Sequence, residues 1–116
     1  MINAKKKGNA GENAFSNWLF ENGIKAYRNG SSGAGMYKGD INNSLDITFE
    51  IKTVKKLNLL KAWKQVQRDS SIAHTMPVLA IHFDGMGNKQ WLVTIHSNDF
   101  IDFLKYKQNA TTKIIL

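Results

Sequence analysis

The chain has 116 residues, 42% of them hydrophobic, and no cysteine; that suffices for one domain around one core and excludes disulfides and thiolate metal sites. Its formal net charge of +7 and isoelectric point near 9.7 point to a polyanionic partner, nucleic acid before an anionic membrane. No apolar run approaches the roughly 18 residues of a membrane span, and no apolar segment follows the basic residues 1–7, so no membrane partner and no secretory leader are expected and a cytoplasmic location is.

Residues 1–9 read as a basic, flexible arm, and residues 10–116 as the folded domain. From residue 11 to residue 22 the pattern is helical, with Ala14, Phe15, Trp18 and Leu19 on one stripe and Gly23 placed to end it. Residues 24–28 read as a short strand, residues 29–35 as a Gly/Ser loop, residues 37–41 as a second strand, Asn42 and Asn43 as a turn, and residues 45–54 as a third strand. Residues 55–73 then read as a helix whose buried side is Leu59, Leu60, Trp63, Val66 and Ile72. Pro77 closes the connection, and the apolar run at 78–83 suits a central strand. Residues 84–88 make a hairpin turn and residues 90–96 the return strand. Ser97 is placed to cap a helix over 98–106, with an edge strand expected at 111–116. The order predicts a mixed α/β domain, a central sheet flanked by helices, with no repeat and no linker.

The chemistry concentrates around the third strand. Leu45, Ile47, Phe49 and Ile51 alternate with Asp46, Thr48, Glu50 and Lys52, which predicts one apolar and one ionic face. A solvated sheet face would give the same alternation. Here, however, a second acid, Asp40, lies upstream, and Asp followed by Glu-x-Lys is the set a metal-dependent phosphodiesterase needs. Two carboxylates hold a hard cation while an ammonium sits beside the attacked phosphate. Asp46 shares the ionic face but lies about 13 Å along the strand from Glu50 at ~3.3 Å per residue, and reads as a solvated turn residue. The Gly/Ser loop lacks the ending of a nucleotide-cradling P-loop. His74, His82 and His96 have no metal-ligand spacing, and Trp18, Trp63 and Trp91 read as core.

Taken together, Glu12 on the first helix, Arg28 before Gly30-Ser31-Ser32-Gly33-Ala34-Gly35, Lys38-Gly39-Asp40-Ile41 and Phe49-Glu50-Ile51-Lys52-Thr53 resemble the P-D…D/E-x-K nuclease superfamily. Within it the chain looks most like Holliday junction resolvases of the archaeal type and their phage-encoded relatives. The match spans residues 12–52 and continues more loosely through the helix around Trp63 and the strand at 77–83. Gly39 departs from the pattern, standing where many members carry proline.

The resemblance implies a single restriction-endonuclease-like domain with an αβββαβ core. It also implies a Mg²⁺-dependent endodeoxyribonuclease, with Mn²⁺ as a substitute, that cuts branched double-stranded DNA as a homodimer. Asp40, Glu50 and the Ile51 carbonyl would be ligands, with Glu12 as a further ligand or a contact to a coordinated water, and Lys52 would act on the attacking water or the transition-state charge. Arg28, Ser31, Ser32 and Gln65 would hold phosphate or position water, and Lys5, Lys6, Lys7, Lys55, Lys56, Lys61, Lys64 and Arg68 would bind the DNA backbone. The alternatives are a related nuclease acting on duplex DNA in restriction or repair, and a non-catalytic nucleic-acid-binding module of the same fold.

Overall fold

The apolar run near residue 80 becomes the centre of the sheet, as its composition demands. The computed structural model describes residues 4–28 and 40–115, with side chains described for residues 8–28 and 40–111. Its elements run α1 (Ala4–Glu21), β1 (Ala26–Arg28), β2 (Ile41–Asn43), β3 (Ile47–Val54), α2 (Leu59–Ala73), β4 (Met76–Phe83), β5 (Leu92–Ile95) and α3 (Ser97–Ile115). The protein is therefore α/β. A three-stranded sheet has the order β3-β4-β5, with β3 parallel to β4 and β5 antiparallel to it. The strands β1 and β2 form a separate antiparallel pair. Pro77 sits one residue into β4 and precedes the first residue paired with β5, so its missing N–H interrupts no β4–β5 bond.

Two apolar layers sandwich the sheet. On one face Phe15 of α1 packs with Phe49, Ile51, Val78 and Ala80, joined by Trp18 and Trp91. The ring of Phe15 meets the Trp91 ring edge-on with centroids 4.9 Å apart. On the other face Ala62 and Val66 of α2 cover Leu79 and Ile81. Each sheet side chain in these layers alternates with one on the opposite face. The helix α1 comes very close to the sheet at Gly11. A Cβ there would lie 2.1 Å from the Thr53 hydroxyl oxygen, so only glycine fits without displacing the Thr53 side chain.

Several element ends differ from the sequence reading, each for a local reason. The helix α1 starts at Ala4 and takes in part of the stretch read as an arm. The second strand falls at Ile41–Asn43, across the pair of asparagines expected to turn. The Asn43 amide instead donates to the Ile47 carbonyl at 2.9 Å, and its Oδ1 accepts from the Leu45 N–H at 3.0 Å. That side chain closes a turn one step later, with Asp46 in the left-handed region at φ 58°. The second helix starts at Leu59, four residues later than expected from residue 55, because the Asn58 side chain caps it by accepting from the Lys61 N–H at 3.1 Å. The third helix is capped by His96, whose Nδ1 accepts from the Asn98 N–H at 3.0 Å, and not by Ser97. It runs on through the residues expected to form an edge strand. The Thr111 hydroxyl there donates back to the Lys107 carbonyl at 2.9 Å, a bond that helix geometry supplies and an isolated strand would not.

Candidate active site

Asp40 is fastened to the edge of β3 twice. Its N–H donates to the Phe49 carbonyl at 2.9 Å, and its Oδ2 accepts from the Ile51 N–H at 2.7 Å. The carboxylate thus takes the place of a strand partner beside Ile51. In a strand the N–H and C=O of one residue leave by the same edge, so the Ile51 carbonyl faces the Asp40 side as well.

Glu50 lies on the α2 face of the same strand. Its side chain is only 8% exposed, and its Oε1 is 3.2 Å from the Lys52 ammonium. The polar half of the β3 alternation is therefore not a solvated face, since Thr48 and Glu50 are both buried under α2. Lys52 in turn lines a groove of about 210 Å³ with Asn58, Lys61 and Gln65 of the α2 region. Gln65 and Lys52 thus line the same groove.

Glu12, on α1, approaches from the other side. Its carboxylate is 3.9 Å from the Arg28 guanidinium, which also donates to the Asn9 side chain at 3.4 Å. Arg28 is thus engaged with α1. Lys55, Lys56, Lys61, Lys64 and Arg68 are exposed. Ser31, Ser32 and the side chains of Lys5, Lys6 and Lys7 lie outside the described residues.

The electrostatics show how tightly these groups are gathered. Burial, and then the neighbouring Asp40, push the Glu50 carboxyl up to about 7, with Lys52 opposing. Burial also raises Asp40 above the ordinary carboxylate range, against the Ile51 hydrogen bond and Lys52. Glu12 is raised by burial and by Asp40, and lowered by Arg28. A fourth acid that the sequence reading did not single out joins them. Asp69 of α2 acts on both Asp40 and Glu50. It stands one helical turn beyond Gln65, on the flank of the buried stripe Ala62, Val66 and Ser70. An acid at that spacing is the signal that could have revealed it.

Four of the chain's nine acids, Glu12, Asp40, Glu50 and Asp69, therefore share one region with two cations, Arg28 and Lys52, in a chain of net charge +7. Close packing of partly buried carboxylates is unfavourable unless a positive charge compensates it. The donor set is all oxygen, which suits a hard divalent cation. Among the described residues, no three acid or imidazole groups converge as a ready-made metal shell. The side-chain donors nearest to such a role are the Asp40 and Glu50 pair.

No protein-family model matches the chain, and no curated protein sequence matches it. Among solved structures, it is similar to that of Hjc from Archaeoglobus fulgidus, described as a Holliday junction resolvase from an archaeal hyperthermophile. The likeness covers 72% of each chain at 18% identity, with a TM-score of 0.48.

The raised carboxyl groups set a pH dependence of stability. Folded Glu50 keeps its proton up to about pH 7, whereas the unfolded group releases it near 4.5. Between those values the folded state binds more protons, so stability is greatest at the acid end and falls as pH rises to about 7. Asp40 and Glu12 act in the same direction. Thermal melts in EDTA across this range should show a falling midpoint, and Glu50→Gln should flatten the fall. An equal slope in the variant would remove Glu50 as its source.

Proposed function

We propose that the protein is a metal-dependent endodeoxyribonuclease that hydrolyses phosphodiester bonds in branched DNA. The observation that carries this reading is the gathering of partly buried carboxyl groups, Asp40 and Glu50 with Glu12 and Asp69, beside Lys52 in a strongly basic chain. Carboxyl groups gathered at one strand edge of a basic protein support the reading of a cation site within reach of a polyanion.

Asp40, Glu50 and the Ile51 carbonyl would hold Mg²⁺, or Mn²⁺ in its place. That cation would polarise the scissile phosphate and make water a better nucleophile at neutral pH. Glu50 must be ionised for this role, and Lys52 at 3.2 Å helps to keep it so. The Lys52 ammonium also lines the groove shared with Gln65, where it can meet charge developing on the phosphate. Glu12 adds negative charge beside the pair, and Arg28 holds Glu12 in place.

Lys61 borders this groove, and Lys64 and Arg68 continue from it along the exposed side of α2. The spacing of residues 61, 64 and 68 sets these cations on one helix face, a track for a phosphate backbone. Lys55 and Lys56 stand exposed just past the end of β3. Recognition of shape and backbone is expected in preference to base reading, and paired cuts across a two-fold junction call for a homodimer.

Binding should be driven by counterion release. Affinity should fall steeply with salt, and replacing Lys55 and Lys56 together by alanine should flatten the log–log slope by up to about two units. An unchanged slope would place both lysines off the DNA. The functional reading is tested by presenting labelled four-way junction, fork and linear duplex in parallel with Mg²⁺. Preferential cutting of the junction is expected. Equal cutting of all three would leave a general duplex nuclease, and no cutting of any would leave a binding module.

A further inference from the structure

The ribbon of β1 and β2 prolongs the sheet beyond β3. The Asp40 N–H donates to the Phe49 carbonyl and the Asn43 amide to the Ile47 carbonyl, each at 2.9 Å. One face of the ribbon is taken up by α1. Ala26 and Ile41 are buried with Phe15 and Phe49, and Arg28 turns to Glu12. Side chains alternate along a strand, so Tyr27 and its cross-strand partner Asn42 face the other way. That is the side on which Glu50 and Lys52 leave β3. The helix α2 covers this side in part. Its Trp63 flank walls a cavity with Ile95 of β5, so the opposite flank, with Lys61, Gln65 and Asp69 at helical spacing, overlooks the outer edge of β3. The action of Asp69 on both Asp40 and Glu50 agrees with that placement. The result is an open trough. Lys61 and Arg68 stand along its α2 wall, Glu50 and Lys52 at its foot, and Tyr27 on its far side, 67% exposed. At ~4.8 Å between neighbouring strands, Tyr27 lies roughly 10 Å to the side of β3, the length of about three base steps at ~3.4 Å.

We propose that Tyr27 stacks on an unpaired base close to the scissile phosphate, and so selects DNA whose base stack is interrupted. The assignment rests on the reading of Asp40 and Glu50 as the cutting site. The two walls of the trough divide the work. Phosphates are drawn to the cationic α2 wall, which turns the bases of the same strand toward Tyr27. An exposed phenol ring offers them a flat face and has only two side-chain torsions to fix. It sits on a strand held to β3 by the Asp40 and Asn43 hydrogen bonds, so the ring is carried on a firm base. Stacking accepts any base, because every base has a π face. What it requires is a face that no neighbouring base already covers. A continuous duplex hides those faces, whereas a branch point or an unpaired stretch uncovers them. Tyr27 thereby supplies a preference for branched DNA that is blind to sequence.

The test places the fluorescent base 2-aminopurine at successive positions around the branch point of a four-way junction, and titrates the full chain in EDTA so that no strand is cut. The protein should quench the probe at one or a few positions. Tyr27→Ala should remove that quenching and weaken junction binding about tenfold, with affinity for linear duplex unchanged. Tyr27→Phe keeps the ring face and should behave as the parent chain. Both variants should melt at the parent temperature, since the side chain is exposed. Quenching that survives Tyr27→Ala, or that no probe position shows, would overturn the proposal. An equal loss of affinity for junction and duplex would overturn it too, as would a Tyr27→Phe chain as weak as Tyr27→Ala, which would make the hydroxyl a phosphate contact. The cutting reading fails separately. Tyr27-dependent quenching without cleavage in Mg²⁺ would sink that reading alone, and cleavage without such quenching would sink only the role of Tyr27.

Discussion

Asp40→Asn should abolish strand cleavage while leaving affinity for branched DNA nearly unchanged. The substitution is chosen for its geometry. Asparagine keeps an oxygen that can accept the Ile51 N–H, now met by Oδ2 at 2.7 Å, so the clamp on β3 should persist. What it removes is the charge, and with it the capacity to hold a hard cation. The fold should tolerate the change, because a buried carboxylate crowded by Glu50 and Asp69 gives way to a neutral amide. A loss of roughly 10³-fold or more in single-turnover rate is expected, the scale on which one member of a catalytic unit matters. Glu50→Gln should behave alike. Undiminished cleavage by Asp40→Asn would remove the site assignment altogether.

Lys52→Ala should lower turnover by roughly 10²-fold, with little change in affinity, as expected of a group that meets charge only in the transition state. A second signature follows from its contact with Glu50. The ammonium lies 3.2 Å from Oε1 and opposes the upward push on that carboxyl, already at about 7. Without Lys52, Glu50 should hold its proton to higher pH, and the acid limb of the pH–rate profile should move upward. A fall in affinity with an unmoved pH profile would make Lys52 a phosphate anchor instead.

Particular residues show what was legible beforehand. The run at 78–83 had to be a central strand, because only a strand covered on both faces tolerates continuous apolar side chains, and β4 is that strand. Asp40, Glu50 and Lys52 could be grouped because Glu50 and Lys52 share a strand face by period two, and Asp40 stands one short hairpin away. Burial of that face was hidden, since alternation alone describes a half-solvated strand equally well and only the placement of α2 closes it. Asn58 was passed over as a cap because the apolar period of α2 can be extended backwards through the lysines before it. Asp69 was missed for a different reason. Its role depends on which flank of α2 faces the site, and that is fixed by the packing of Val66 against Leu79 and Ile81. The end of α3 was misread because Thr111, Thr112, Ile114 and Ile115 are β-branched. Strand propensity has effect only where a sheet edge receives the segment.

The central claim is that the Asp40 and Glu50 pair supports metal-dependent phosphodiester hydrolysis. The most direct measurement is strand scission of an end-labelled four-way junction by the purified chain, across a Mg²⁺ series and in EDTA. Discrete products that rise with Mg²⁺, vanish in EDTA and are absent with Glu50→Gln are the predicted result. Cleavage that persists in EDTA, or that Glu50→Gln leaves intact, would contradict it.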